Sequence, residues 1–490
     1  MKILFLSSEV VPFAKTGGLA DVAGALPKEL KSLGHDVRIV MPRYQMIDVE
    51  KFFLKPLKLS FDIDISGQVH KTGVFEANIP GTDVITYFID NEEYFGSRKE
   101  LYMVAGKDYP DNLERFTLYS KATLQLLKGI SFKPDVIHCN DWQTALVAAY
   151  LKTLYADDPF FKNTAIVYSV HNMGYLGLFP KESLPITGLS WSEYGSEKME
   201  FWGNISISKA GFVYSDIIST VSETYAKEIQ TEEYGCGLDG LLRYRSQDVI
   251  GILNGIDLEL WDPSHDPHIA KKYNSENLYG KLECKLMLQK NSGLPAREDV
   301  PVMGMITRLV DQKGLDIFSE VLDAIMGLKF QLVILGTGDT KYHELLSKAK
   351  QKYPNQISLN LTFDATVAQT IYAGSDVFIM PSRYEPCGLG QLISFRYGTV
   401  PIVRSTGGLA DTVHDFSLRD ASGDGFVFTE YSGRALFESV RHAAEVYRNR
   451  TVWSMIVRRI MKYDYSWKVS AKKYVDLYEG AMQKKMVPVR

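Results

Sequence analysis

Short runs of apolar, β-branched residues recur along this chain, each closed by a turn and followed by a helical pattern, and that alternation restricts the fold more than any other feature. In the first half the runs are Lys2–Ser7, Asp36–Met41, Ile85–Asp90, Asp135–Cys139, Ala165–Val170 and Asp216–Val221. In the second half they are Val302–Ile306, Phe330–Leu335, Ile357–Leu361, Asp376–Met380 and Val400–Val403. Runs this short and apolar on both faces fit buried parallel strands. Helical stretches separate them: Leu19–Leu33, Leu315–Met326 and His343–Lys352. Strand and helix in alternation predict a doubly wound α/β sheet.

The series restarts near Val302, after a stretch carrying Pro263 and Pro267. With 490 residues the chain is too long for one ordinary core. The expected organisation is a first Rossmann-like domain over 1–250, a second over 251–463 and a terminal segment over 464–490, with a helix at Tyr465–Gln483. Gly-Gly-Leu-Ala-Asp occurs twice, at Gly17–Asp21 and Gly407–Asp411, each time between a strand and a helix. The fold class expected is therefore α/β, two Rossmann-like domains facing across a cleft. Ligands of such sheets sit beyond the carboxyl ends of the strands.

Composition removes several function classes. Hydrophobic residues at 45% and charged residues at 23% give a globular balance, and the formal charge of −4 argues against a dedicated nucleic-acid binder. Cys139, Cys236, Cys284 and Cys387 show neither disulfide nor zinc spacing. The opening apolar run is shorter than a signal peptide requires, and no run spans a bilayer, so no membrane association and a reducing cytoplasm are expected. Oligomeric state is not written in the sequence.

Candidate chemistry gathers where strands end. Lys15-Thr16-Gly17-Gly18 reads either as amides and a cation offered to an anion or as a tight turn needing glycine, and taken alone the turn fits better. Arg308 and Lys313 follow the strand ending at Ile306. They suit a diphosphate leaving group, or else are solvated surface charges. Glu385, within Pro381–Leu389, is a carboxylate at a strand's end that suits sugar hydroxyls, a reacting centre or a helix cap. Cys387 lacks an evident base and reads as a packed thiol. His171 and Asp141 end two further strands; Trp142 suits sugar stacking or, better, core packing.

There is no Walker loop, no dinucleotide fingerprint and no H-E-x-x-H motif. Asp62 and Asp64 form a D-x-D inside the alternating run Leu59–Ile65, which reads as a solvated strand face and not as a metal site. No metal and no cofactor is therefore expected, and neutralising a departing diphosphate falls to Arg308 and Lys313.

In order, these motifs resemble the bacterial and plant glycogen/starch synthases that use ADP-glucose. The likeness runs from the opening KILFLSSEVVPFAKTGGLADVAGALPKEL through Asn140–Trp142, Val170–Asn172, Tyr234–Leu242 and Asn254–Asp257. It continues through Thr307–Asp316, PSRYEPCGL and Ser405–Val413. The resemblance implies twin Rossmann halves in the glycosyltransferase architecture, with the terminal helix packing back on the first. It implies a donor held mainly by the second half and an α-1,4-glucan acceptor on the first. Arg308 and Lys313 would bind the diphosphate with Lys15 and Gly18. Glu385 and His171 would hold the glucosyl unit, with Asp141 and Asn254 nearby, and Phe363 would face the base. The matching segments add Gly17, Asp21, Asn172, Ser382, Tyr384, Cys387, Gly388, Leu389, Thr406 and Gly407 to the substrate-binding set.

The reaction implied retains the anomeric configuration. Retaining glycosidases use two carboxylates about 5 Å apart, one as nucleophile. The resemblance implies instead same-face attack, in which the departing phosphate oxygen takes the acceptor's proton and Glu385 acts by electrostatics and positioning. Three positions bear on donor choice. Leu176 stands where the family has Gln, Gly390 replaces a larger residue, and Ile393 occupies the place of a second Glu found in the wider clan. Ile393 favours ADP-glucose over UDP-glucose. The competing readings are a related retaining glycosyltransferase with another donor or acceptor and a catalytically silent glucan-binding protein. A dehydrogenase is disfavoured by the missing fingerprint.

Overall fold

A computed structural model describes residues 1–104 and 106–486. The chain divides into two compact units. The first comprises Met1–Val221, Ala226–Ile252 and the chain from Trp467 onward; the second comprises Ser222–Tyr225 and Leu253–Ser466.

The main sheet of the first unit contains β1 (Lys2–Leu6), β2 (Asp36–Pro42), β3 (Lys55–Ile65), β4 (Gln68–Asn78), β5 (Ile85–Asp90), β6 (Val136–Asn140), β7 (Ala165–Val170), β8 (Ile217–Thr220) and β9 (Val249–Gly251). Their spatial order is β9-β8-β7-β6-β1-β2-β5-β4-β3. Every pairing is parallel except β3 with β4 and β4 with β5. The sequence displays only half of the antiparallel pair. β3 alternates as expected, but it starts at Lys55, and β4 carries too many polar residues to resemble a buried run.

The sheet switches direction of growth between β1 and β6, which places the chemistry after β1, β6 and β7 at neighbouring carboxyl ends. The first helix, α1 (Gly18–Ser32), follows β1, and the last helix, α2 (Trp467–Met486), packs on α1 and β7. Tyr478 of that helix reaches the core: its hydroxyl lies 2.8 Å from His138 Nδ1, while His138 Nε2 lies 2.5 Å from Ser169 Oγ.

The second unit holds β10 (Val302–Ile306), β11 (Gln331–Leu335), β12 (Ile357–Asn360), β13 (Val377–Met380), β14 (Val400–Arg404) and β15 (Phe426–Phe428). All pairings are parallel, in the order β12-β11-β10-β13-β14-β15. Counted within the unit this is 3-2-1-4-5-6, the Rossmann order, with its switch point between β10 and β13. The strands are almost wholly buried, as near-continuous apolar runs should be when both faces are covered. Predicted and observed strand ends differ by a residue or so. A strand edge is set by hydrogen bonding to its neighbour, which local sequence does not display.

Gly390 and Ile393, two of the positions read against the family pattern, have packing reasons. A Cβ at Gly390 would stand 2.9 Å from Phe378 Cε1 and 3.3 Å from Met380 Sδ, so the strand beneath leaves no room for a larger residue. Ile393 is part of the hydrophobic core. Leu176 is also buried, and its carbonyl accepts from Ser206 Oγ at 3.0 Å and the Ser208 amide at 3.1 Å.

The buried histidine predicts a pH response. Burial lowers the His138 pKa to about 3, against about 6.5 in an unfolded chain. The stability that this neutral ring contributes is complete above about pH 6.5 and is lost as pH falls toward 3, at up to about 1.4 kcal/mol per pH unit. Chemical denaturation across that window should show a shallower pH dependence in His138→Gln than in the wild type.

Candidate functional site

The second unit assembles its candidate residues at the switch point. After β10 the chain passes Arg308, makes a short turn at Asp311–Lys313 and enters a helix at Leu315 through Gly314, whose φ is +71°. After β13 it runs through Pro381 to Glu385. The two loops are joined by one backbone and one side-chain bond: the Arg383 amide donates to Gln312 O at 2.9 Å, and the Gln312 side-chain Nε2 donates to Tyr384 O at 3.3 Å. A Cβ at Gly314 would stand 1.9 Å from Pro381 O, so glycine there is demanded by both dihedral and contact.

That approach brings Lys313 Nζ to 2.9 Å and 2.6 Å from the two oxygens of Glu385, and Ser382 Oγ donates to the same carboxylate at 2.8 Å. Glu385 is only 7% exposed. Lys313 is thus not the solvated surface charge that position alone allowed. In this structure its first partner is the carboxylate. Arg308 is exposed at the end of β10, with Nη2 3.3 Å from Gln312 Oε1, and the same Gln312 side chain reaches the carbonyl of Tyr384, the residue before Glu385.

The remaining candidates of this unit separate into two groups. Thr406, Gly407 and Gly388 serve the loop's packing: the Gly408 amide donates to Glu385 O at 3.1 Å, and a Cβ at Gly407 would lie 2.0 Å from that oxygen. Thr406 is buried at the head of the helix Gly407–Thr412. Gly388 has φ +71° and lies against Gln391, and Leu389 leads into the helix Gly390–Arg396. Cys387 is a buried thiol whose pKa burial pushes up to about 12, so it is no nucleophile at neutral pH. The second group is Asn254 and Phe363. Asn254 is buried with no hydrogen-bond partner for Oδ1 among the described residues, and the Phe363 ring is 78% exposed.

The first unit gathers a second set at the ends of β1, β6 and β7. Asp141 has φ +55° and ψ 177°, a region that L residues avoid, and caps no amide of the helix it precedes. Its Oδ1 instead accepts the His171 amide at 2.8 Å. Burial raises the Asp141 pKa to about 7, opposed by that amide and reinforced by the charge of Glu9. His171 Nε2 lies 2.9 Å from Asn140 Oδ1, and Asn140 Nδ2 donates to Leu6 O at 2.9 Å. The Asn140 amide is thereby oriented, so Nε2 carries the proton and Nδ1 is the acceptor. Burial lowers the His171 pKa to about 4, which keeps the ring neutral and able to accept from a hydroxyl. Asn172 Oδ1 takes the Gly174 amide at 2.8 Å and shapes the turn. Trp142 packs edge-on against Phe116 and Phe179, so core packing wins over sugar stacking. Asp62 and Asp64 lie on the exposed face of β3.

The twin Gly-Gly-Leu-Ala-Asp segments differ completely in tertiary role. In the second copy Gly407 is packed on backbone, and Asp411 accepts from the Thr224 amide at 3.0 Å and from Thr224 Oγ1 at 2.5 Å. In the first, Asp21 pairs with Lys15 at 2.7 Å, and a Cβ at Gly17 or Gly18 would meet no atom within 4 Å. Gly17 has φ −145° and ψ −168°, a backbone any residue adopts. The reading of this pair as a turn that needs glycine is therefore corrected: neither packing nor dihedral requires glycine at Gly17. A residue that sequence reasoning missed stands behind the loop. Glu9 accepts from the Thr16 amide (2.5 Å), the Gly17 amide (3.1 Å), Thr16 Oγ1 (2.5 Å) and Tyr102 OH (2.8 Å). The Gly17 amide is therefore not directed at a ligand. An acidic residue between two apolar stretches, where a strand hands over to a loop, was the available signal.

Two Rossmann-type units, one with a cation–carboxylate pair at its switch point, define a two-domain α/β glycosyltransferase. Residues 2–244 match the family model of the starch synthase catalytic domain, and residues 289–456 match that of glycosyl transferases group 1. The glycogen synthase of Thermotoga maritima is 48% identical over 489 residues, 99% of each chain. That of Desulforudis audaxviator is 47% identical, over 99% of this chain and 97% of its own. Among solved structures, the catalytic domain of starch synthase IV from Arabidopsis thaliana, bound to ADP and acarbose, superposes with a TM-score of 0.91 at 33% identity. The match covers 98% of this chain and 99% of that one. Sucrose-phosphate synthase of Thermosynechococcus elongatus, at 15% identity and a TM-score of 0.60, shares the fold alone. The chain belongs to the glycogen/starch synthase family.

The glycines separate packing from chemistry experimentally. Gly314→Ala should lower both thermal stability and turnover, because about 1–3 kcal/mol of strain falls on the turn that carries Lys313. Gly18→Ala should leave Tm within about 2 °C of wild type yet raise the donor KM about tenfold. Thermal melts and initial-rate kinetics on the two variants check this.

Proposed function

We propose that this chain transfers glucose from ADP-glucose to the non-reducing end of an α-1,4-glucan with retention of configuration. The observation that carries the reading is the Lys313–Glu385–Ser382 cluster beside Arg308 at the switch point of a Rossmann sheet, where the fold offers a nucleotide site. Support for ADP comes from the starch synthase IV relative, which is described as bound to that nucleotide.

In this proposal Arg308 and Lys313 take the diphosphate, whose negative charge grows as the bond to the sugar C1 breaks. The bonding pair leaves with the phosphate oxygen. The acceptor's 4-hydroxyl attacks C1 from the same face, and its proton passes to the departing phosphate. No protein nucleophile is required, so the residues act by position and field. Glu385, desolvated but neutralised by Lys313, places negative charge near the developing oxocarbenium character. Neutral His171 accepts from a sugar hydroxyl, the Asn254 amide oxygen takes a donor from the ligand, and Phe363 stacks on the base. Asp141, its pKa raised to about 7 by burial, suits a hydroxyl contact. Charge neutralisation by Arg308 and Lys313 removes the need for a metal. A cytoplasmic setting is part of the proposal, in keeping with four cysteines that are all free thiols.

The test offers glycogen with ADP-glucose or UDP-glucose to the purified protein, with and without chelator, and measures nucleotide release. Release from ADP-glucose that survives chelator is expected, and a strict magnesium requirement would overturn the metal-free account. Glu385→Ala should lower turnover by about two to three orders of magnitude with little change in donor affinity; near-normal turnover would refute its role.

A further inference from the structure

We propose that Glu9 is a positioning residue for the donor's diphosphate: its carboxylate holds the Lys15–Gly18 loop in the arrangement that offers the Gly18 amide and Lys15 to phosphate. The inference rests on the transfer reaction proposed above. Glu9 lies at the carboxyl end of β1 and is 4% exposed, and all four of its partners are hydrogen-bond donors. No cation is among them. Only a carboxylate, with acceptor sites on both oxygens and no hydrogen of its own, satisfies such a set.

The consequence for the loop is specific. Because the Thr16 and Gly17 amides are both committed to Glu9, the next amide in the chain, Gly18, becomes the first that an external anion can use. It opens α1, whose N-cap, Gly17, supplies no side-chain cap. The open space beside Gly17 and Gly18 fits the close approach of a phosphate oxygen to backbone, the one reason left for glycine at a position whose neighbours would tolerate a methyl. Lys15 immediately precedes the two held residues, so its backbone adjoins the same anchor. In this structure it rests on Asp21, within reach of an exchange from carboxylate to phosphate. Tyr102 ties the arrangement to a second segment: its hydroxyl bonds both Glu9 and Ser8 Oγ, the latter at 2.7 Å. Glu9 itself need touch no substrate.

A glutamine at residue 9 keeps the shape but turns one acceptor into an NH2 group facing donors. In Glu9→Gln the donor KM and the Kd for ADP alone should each rise at least about tenfold, while the glucan KM stays within about twofold of wild type. The decisive readout is a double-mutant cycle with Gly18→Ala. If Glu9 acts through the Gly18 amide, adding Gly18→Ala to Glu9→Gln should raise the donor KM little further, whereas a merely structural Glu9 gives additive effects. Additivity, or a donor KM within about twofold of wild type in Glu9→Gln, overturns the proposal. Should Glu9→Gln fail to fold, Thr16→Val removes only the hydroxyl donor and takes its place in the same cycle with the same criterion. Wild-type protein that releases no ADP on glycogen would sink the transfer reading itself; active wild type with an unaffected or additive Glu9→Gln sinks only this inference.

Discussion

The Lys313–Glu385 ion pair is the contact on which the second unit's site depends. Removing two charges from water costs several kcal/mol each, and their attraction offsets that only when geometry is good and the remaining lone pairs are filled. Here Lys313 reaches both carboxylate oxygens and Ser382 adds a third donor. The pair exists because the Rossmann order makes β10 and β13 neighbours across the switch point, although the residues they deliver are far apart in sequence. It also requires Gly314, since any side chain there would strike Pro381. Fold topology, one glycine and one ion pair form a single dependency: disturb any of them and the carboxylate loses its neutralising partner.

The first unit solves a different problem, keeping acidic and imidazole groups in defined states without a fixed cation among them. Asp141 is held at a positive φ, its pKa is raised to about 7 by burial, and its Oδ1 accepts the His171 amide. His171 is kept neutral, with its proton directed to Asn140. Glu9 is satisfied by four donors. Groups in such states suit the recognition of neutral hydroxyls, whereas the second unit, with Arg308 and Lys313, suits an anion.

Much of the fold was legible because it rests on local and periodic signals. Apolar runs bounded by turns marked the parallel strands, and helical patterns followed them. What escaped was the antiparallel strand β4, whose polar face hides the pattern, the three-residue edge strands β9 and β15, too short to show a period, and the fine positions of strand ends. The candidate residues were legible as positions after strands, but their states were not. Lys313 read as a surface charge or a phosphate ligand and turned out to hold Glu385. Cys387 read as packed and is packed. Glu9 showed only as an acidic residue between two apolar stretches, and its role stayed hidden because nothing in its immediate neighbours says that a loop some residues later will fold back over it.

The repeated Gly-Gly-Leu-Ala-Asp segment marks the division between the two levels of information. By itself the sequence determined that each copy joins a strand to a helix, that the chain holds two doubly wound sheets, and which side chains stand at the strand ends, since hydrophobic period and turn chemistry are local properties. Only the tertiary structure decided that one glycine pair is pressed against backbone while the other faces open space, that one aspartate binds a threonine and the other a lysine, and which carboxylates are neutralised. Those outcomes depend on what the rest of the chain brings within a few ångströms, and neither packing nor desolvation can be read from neighbours in sequence.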